Sequence, residues 1–470
     1  MSLTISKEPE LIKNLFDLLA AHRGIFQQER VYQRVVALVI AEVMAFGRHT
    51  VTQLLLTLGL ATADWSAWYR LFSAGRFREE AAAEVLVEET VPHVGADELY
   101  VVAGDSTQVP RSSQKLEGSS WLHAPRSPVF KRGIHRAQRW FNGSWLTPAE
   151  NGYSRALPLR FLPAFTQKAR RQITEPCNEW EAALVFLHWL LATLAKLGRA
   201  AQPVLMVADG SFETLPLWQG LPDGVILLAR SAKNRVLHEL VPEGAHANRK
   251  YGERAPTPQA VWQQRRGWRQ LRLLIRGRPR DLQYRVEGPF LRKGAPQRPL
   301  FLLIVRGQTY TQHGRRKHRE PVPYLVNASQ EANGQWVLPL PAATLLFWAW
   351  QRWEIEVAHR ELKTSWGLGD KQCWNPLAAL RSVQWSAWLY SLLLLAGYRT
   401  WGLCGGPAVP SRWWRGAGRW SLTSRWRAYR TAFWGSHVFQ PLPLSLPGNW
   451  LENEACLPFS LNPLFAAARP

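Results

Sequence analysis

Two apolar runs in this chain each end on an aspartate followed by a small residue. Glu98–Ala103 leads into Gly104-Asp105-Ser106-Thr107, and Val204–Ala208 leads into Asp209-Gly210-Ser211-Phe212. A carboxylate at the carboxyl end of a strand stands where open α/β sheets collect their ligands. Taken singly, such an aspartate is an ordinary turn or cap residue. As a pair at one sheet edge the two repel each other unless cations neutralise them, and the cations suited to hard carboxylate oxygens are magnesium and manganese. A third carboxylate must then come from an element crossing that edge. The segment from Trp348 to Lys363 supplies one. At about 100° per residue, Glu356 lies roughly 40° and Lys363 roughly 20° from Arg352, so the three form one polar stripe. Glu354 lies roughly 160° from Glu356 and points elsewhere, so its change to Gln is expected to be mild. The same stripe also suits a solvated helix face held by i,i+4 ion pairs.

The elements that must position these groups follow from the hydrophobic periodicity. Residues 1–95 read as a helical domain, with apolar residues at three- and four-residue spacing from Leu11 to Ala41. Within it, Thr50–Phe72 has a helix-turn-helix pattern: a helix near Thr52–Thr57, a break at Gly59, and Thr62 as cap of a second helix over Ala63–Phe72 with Asp64 in its first turn. Such a pair reads DNA or merely packs. Residues 96–225 carry both strand-ending aspartates, a strand at Pro158–Leu162 and a helix over Glu179–Leu197. Residues 226–340 alternate short strands (Leu271–Arg276, Leu300–Val305, Tyr324–Asn327) with basic turns, as a β-rich insertion into an α/β domain would. Residues 341–400 return to helix, with one helix expected over Ala342–Lys363 and another over Pro376–Arg399, and residues 401–470 are basic and rich in tryptophan.

The bulk composition narrows the partners. Across 470 residues, 58 Lys and Arg stand against 35 Asp and Glu, a formal charge of +23. That excess favours polyanions, nucleic acid above all. With 46% hydrophobic residues the chain can bury a core, which excludes wholesale disorder. Apolar runs such as Trp385–Tyr398 are too short to span a bilayer, and Lys7, Glu8 and Glu10 do not read as a secretory signal, so a cytoplasmic protein without a membrane partner is expected. Cys177, Cys373, Cys404 and Cys456 are scattered, so neither a zinc site nor a disulfide framework is indicated.

The Gly-Asp-Ser-Thr and Ala-Asp-Gly-Ser-Phe motifs, followed by Arg352-Trp353-Glu354-Ile355-Glu356 and Arg360-Glu361-Leu362-Lys363 in a late helix, resemble the DDE transposases of bacterial insertion sequences. More narrowly, they resemble the branch with a Tyr-(2)-Arg-(3)-Glu-(6)-Lys signature. Arg352, Glu356 and Lys363 match its spacing, whereas the tyrosine position falls on Ala349, between Trp348 and Trp350. Gly367-Leu368-Gly369-Asp370 also looks familial, and the resemblance runs from about Arg48 to Ser391. It implies an RNase H-like fold, a mixed sheet flanked by helices, with the strand-rich block inserted between the second aspartate and the glutamate. It further implies two Mg²⁺ or Mn²⁺ ions held by Asp105, Asp209 and Glu356, hydrolysis that frees a 3′-hydroxyl at the element's end, a hairpin intermediate, and joining to target DNA. Arg352 and Lys363 would then hold phosphates.

Further candidate DNA contacts are Arg360 on the same helix and two basic groups in the insertion: Arg265, Arg266 and Trp268, then Arg315, Arg316, Lys317 and Arg319. Guanidinium forks suit phosphates, and a tryptophan here, Trp336 among them, can stack on an unpaired base or simply belong to the core. The tail run Arg412-Trp413-Trp414-Arg415, with Arg419-Trp420 and Arg425-Trp426-Arg427, suits DNA or a subunit contact, and a homodimer on paired DNA ends is expected. Two other readings use the same residues: a transposase-derived regulator that binds DNA ends without cutting, and an RNase H-like nuclease without strand transfer.

Overall fold

The computed structural model describes residues 8–435 apart from 125–130, 132, 171–177, 243, 245, 247, 313 and 408–418, so Cys177, Cys456 and the run Arg412–Arg415 lie outside the described residues. Five helices open the chain: α1 (Glu8–Ala21), α2 (Glu29–Met44), α3 (Val51–Thr57), α4 (Ser66–Ser73) and α5 (Glu79–Thr90). The expected hairpin of helices is α3–α4. Thr50 caps α3, its hydroxyl accepting from Gln53 N at 3.1 Å. The second helix starts at Ser66 rather than Ala63, because the Asp64 carboxylate accepts from Ser66 N at 2.9 Å and holds the preceding residues in a turn.

The first half of the sheet is built from β1 (Tyr100–Pro110), β2 (Ser120–His123), β3 (Ile134–Leu146), β4 (Ala156–Pro163), β5 (Val204–Ala208) and β6 (Val225–Arg230), with α6 (Glu179–Lys196) and α7 (Leu215–Gly220) between the strands. β3 runs antiparallel to β1, β2 and β4, whereas β5 is parallel to both β1 and β6. The spatial order β4-β3-β1-β5-β6, with only β3 reversed, is the RNase H-like arrangement that the motifs implied. β1 is longer than expected. It continues through Asp105 to Pro110 because β3 pairs with it as far as Pro110↔Ala137, long after its ladder with β5 has ended. Gly104 and Gly143 face each other in that pairing. A Cβ on Gly104 would meet Met206 Cε at 2.1 Å, and one on Gly143 would meet the Phe186 ring of α6 at 2.3 Å. The bare Gly143 lets α6 close on the sheet beside Asp105, and the bare Gly104 makes room for the Met206 side chain of β5.

The strand-rich block is continuous with this sheet. It contains β7 (His238–Glu239), α8 (Pro258–Gln263), β8 (Arg269–Ile275), β9 (Arg278–Arg292), β10 (Ala295–Val305) and β13 (Val322–Asn327), and β13 pairs antiparallel with β6. A hairpin of β11 (Thr309–Gln312) and β12 (Arg315–His318) and another of β14 (Ser329–Gln330) and β15 (Trp336–Val337) stand apart from the main sheet.

Four helices complete the fold: α9 (Ala342–Gln351), α10 (Trp353–Thr364), α11 (Pro376–Trp401) and α12 (Leu422–Gly435). The single helix expected over Ala342–Lys363 is therefore interrupted at Arg352, where Ile355 N bonds to Arg352 O at 3.1 Å in a tightened, three-residue turn. α11 covers the outer strand β4. Gln384 accepts from Phe161 N at 3.1 Å and Ser391 donates to Pro158 O at 2.6 Å, satisfying an edge that would otherwise invite pairing with another chain. α1 and α5 also pack against α11. Among the described residues no helix is long and apolar enough to cross a membrane.

Candidate active site

The parallel ladders align three strand ends. The last pairs are Gly104↔Ala208 between β1 and β5 and Ala208↔Ala229 between β5 and β6. The next residue on each strand is Asp105, Asp209 and Arg230 respectively. Across β3, Asp105 faces Asn142, and across β13, Arg230 faces Tyr324. One row of the sheet thus carries Asn142, Asp105, Asp209, Arg230 and Tyr324.

Each carboxylate is held by local hydrogen bonds. Asp105 Oδ1 accepts from Ser106 N at 2.8 Å. Asp209 caps the short turn Gly210–Phe212, its Oδ1 accepting from Ser211 N at 2.9 Å and Ser211 Oγ at 2.6 Å. Glu356, on the first turns of α10, accepts from Arg352 Nη2 at 2.5 Å, and Arg352 Nη1 lies 3.7 Å from Asp105 Oδ2. That Nη1 is buried and has no hydrogen-bond partner. Burial first, then the negative charge of Asp209, pushes the Asp105 carboxyl up to about 7; Glu356 adds to the rise, and Arg352 and the Ser106 amide oppose it. Asp209 and Glu356 thus both lie near enough for their charges to act on Asp105.

Glu354 points away from them, as the helical arithmetic requires, but into the protein. It is 2% exposed and pairs with Arg276 at 3.5 Å and with Arg419. Its replacement is therefore expected to be costly to the fold, while its effect on cleavage by folded molecules stays mild. Behind Glu356 lies a buried pair that sequence reasoning did not single out: His359 Nε2 sits 3.0 Å from Asn142 Nδ2. Burial, reinforced by Lys363 and Arg352, pushes the His359 imidazole down to about 3, so it is neutral.

The other candidate contacts are dispersed. Arg360 and Lys363 are exposed farther along α10, and Arg265 and Arg266 are exposed after α8. Trp268 is half-buried, with its indole N–H given to Gln264 O at 2.9 Å and Arg306 over its ring at 5.3 Å. Arg315 lies in β12, with Arg316, Lys317 and Arg319 exposed beside it, and Trp336 is half-buried in β15. Trp348 and Trp350, flanking Ala349, pack against the core. The Arg352 charge does act on one phenol, that of Tyr324, which burial pushes up and the Arg230 and Arg352 charges oppose. The signal for Arg230 was present: Val225–Ala229 is a third apolar run ending on a polar residue.

The described tail residues correct the surface reading of that segment. Arg425 is 1% exposed, sandwiched between the Trp401 ring at 4.2 Å and the Trp420 ring at 3.7 Å, and donates to Gly397 O at 2.7 Å. Trp385 and Trp388 of α11 are buried, and Trp426 gives its indole N–H to Val43 O at 2.6 Å. Guanidinium and indole alternate here because they stack on each other inside the fold.

Among the described residues no three His, Cys, Asp or Glu side chains are gathered into a ready metal site. The donor chemistry nevertheless fits a hard divalent cation. Asp105, Asp209 and Glu356 offer only carboxylate oxygens, and burial, joined by the negative charges of Asp209 and Glu356, keeps the Asp105 carboxyl raised against the opposing Arg352 guanidinium.

Fold and site together define an RNase H-like α/β protein with an acidic cluster at the carboxyl end of its central strands. Residues 24–285, more than half of the chain, match the family described as DDE superfamily endonuclease, and the chain belongs to that family. The match takes in Asp105 and Asp209 and ends before α10. In a solved structure, the piggyBac transposase synaptic complex with hairpin DNA is similar over 96% of this chain and 82% of that chain, at 10% identity and a TM-score of 0.40. No curated protein matches the sequence.

Proposed function

We propose that the chain is a transposase that cuts and rejoins DNA at the ends of an insertion sequence, in the branch with the Tyr-Arg-Glu-Lys signature. The observation that carries this reading is the alignment of Asp105 and Asp209 one residue beyond the last β1–β5 register pair, with Glu356 linked to Asp105 through Arg352. Asp105, Asp209 and Glu356 would hold two magnesium or manganese ions, whose charge lowers the pKa of the attacking water and stabilises the departing oxygen. Arg352 is turned toward the carboxylates, with its buried Nη1 without a hydrogen-bond partner, and its guanidinium fork suits a phosphate brought to this edge. Arg230 and Tyr324 extend that cationic and hydroxylic edge past Asp209, while Lys363 and Arg360 extend it along α10.

In the first step a water oxygen bonds to phosphorus, the bond to the 3′ oxygen breaks, and the proton lost by water is matched by one gained at the new 3′-hydroxyl. That hydroxyl then bonds to the phosphorus of the opposite strand, closing a hairpin as that strand's own 3′ oxygen leaves as a hydroxyl. Within this reading residues 1–95 bind DNA, 96–225 and 341–400 form the catalytic domain, 226–340 the β-rich insertion, and 401–470 a C-terminal region. The partners are transposon ends and target DNA in the cytoplasm, and the working form is a homodimer on paired ends. Arg265, Arg266, Trp268, Arg315, Arg316, Lys317, Arg319 and Trp336 contact the DNA from the insertion.

Incubation of the purified protein with magnesium and the DNA that flanks its gene tests the proposal. Nicked 3′ ends or hairpins, absent when the metal is chelated, are the expected products. Tight binding without any cut would favour the regulator instead.

A further inference from the structure

We propose that Asn142 and His359 are positioning residues that fix the rotation of α10, so that Glu356 faces Asp105 and Asp209. The inference rests on those three carboxylates being the active site. Asn142 is the cross-strand partner of Asp105, and directly opposed residues of an antiparallel pair project from the same face. It is fully buried. Its Oδ1 accepts from Ser144 Oγ at 3.1 Å, which leaves Nδ2 to donate to His359 Nε2 at 3.0 Å. The imidazole must therefore accept at Nε2 and carry its proton on Nδ1.

His359 follows Glu356 by three residues, so the two side chains lie on neighbouring tracks of the helix. One hydrogen bond thus connects the strand position facing Asp105 to the helix turn adjoining Glu356. The Phe161 ring packs edge-on against His359 from β4, its centroid 6.2 Å away. Other anchors of α10 work away from this face. Glu361 is held by Arg155 and by Tyr390 at 2.7 Å, and Glu354 by Arg276 and Arg419. Those contacts hold the helix on the body of the protein, whereas the Asn142–His359 bond, together with the Arg352–Asp105 ion pair at 3.7 Å, ties it to the row that carries the carboxylates. Outer groups that orient metal-binding side chains typically change metal affinity or activity by about 10–100-fold when removed.

The test is single-turnover nicking of an end duplex as a function of magnesium, with DNA affinity measured separately without metal, at a temperature where every variant is folded by circular dichroism. His359→Leu and Asn142→Ala are both expected to nick about tenfold more slowly or worse and to need more magnesium for half-maximal rate, with unchanged DNA affinity. His359→Gln keeps a side-chain carbonyl that can accept from Asn142, and should recover most of the rate. Wild-type nicking and magnesium dependence in His359→Leu would overturn the proposal. So would equal impairment of His359→Leu and His359→Gln accompanied by lost DNA affinity, since that pattern is general packing damage. Asp105→Asn serves as control: if it is inactive while His359→Leu is normal, only the positioning role fails, whereas an active Asp105→Asn removes the site on which that role depends.

Discussion

Arg352 lies between Glu356 and Asp105, one guanidinium nitrogen 2.5 Å from Glu356 Oε1 and the other 3.7 Å from Asp105 Oδ2. It supplies the positive charge nearest to a carboxyl that burial and Asp209 have pushed up to about 7. Arg352→Ala should therefore slow cleavage strongly, and Arg352→Lys should restore little, because a lysine ammonium cannot reach both partners with a fixed fork. Comparing single-turnover rates of the two variants checks this; full activity in the lysine variant would show that charge alone suffices.

Asp105→Asn, Asp209→Asn and Glu356→Gln should each reduce cleavage to background while DNA affinity stays near wild type. Each amide preserves size and removes the charge needed to bind a divalent ion. Chelation of metal should have the same split effect. A gel-shift and nicking assay on the same preparations separates the two, and substantial nicking by any one variant removes that residue from the site.

Glu354→Gln should lower stability rather than chemistry. Breaking a buried ion pair by removing one partner typically costs about 3–5 kcal/mol, and Glu354 has two arginines, Arg276 and Arg419, to leave unpaired. The expected result is a reduced Tm with near-normal cleavage by the molecules that remain folded. An unchanged Tm would contradict it.

Acid should attack a second buried cluster. Burial alone would raise Glu42, but the Lys371 ammonium at 2.7 Å and His49 outweigh it and hold the carboxyl at about 2, below its ordinary 4.5. A depressed carboxyl stabilises the fold fully above its unfolded value and loses that contribution as pH falls from about 4.5 toward about 2. Glu42→Gln should therefore be less stable at neutral pH, by about 3–5 kcal/mol for an unpaired buried Lys371, and show a flatter decline of Tm in acid. Thermal melts from pH 6 to pH 3 decide it; parallel curves for the two proteins would exclude the cluster as an acid-labile element.

DNA binding should weaken steeply with salt, as expected for a chain of formal charge +23. Replacing Arg265 or Arg266 by Ala should reduce the slope of log affinity against log salt by about 1 each if each neutralises one phosphate. Unchanged slopes would place the DNA elsewhere.

The sequence by itself determined the strands and the stripe. Val204–Ala208 is a continuous apolar run bounded by Pro203 and Asp209, and β5 occupies it residue for residue. The four- and seven-residue spacings of Arg352, Glu356 and Lys363 likewise place Glu356 beside Arg352 whatever surrounds the helix, as their 2.5 Å ion pair shows. These are local facts, set by the two-residue period of a strand and the 3.6-residue period of a helix. Tertiary structure decided everything that depends on a distant partner. β1 runs past Asp105 because β3 lies alongside it, Arg230 joins the carboxylate row because β6 is parallel to β5, and Glu354 is buried because Arg276 and Arg419 meet it from two other segments. The arginines and tryptophans of the tail read equally well as a DNA surface or a stacked interior. The rings of Trp401 and Trp420 against Arg425 chose the interior, since a guanidinium stacked on indoles and given carbonyl acceptors at both terminal nitrogens can leave water with Nε alone left unbonded.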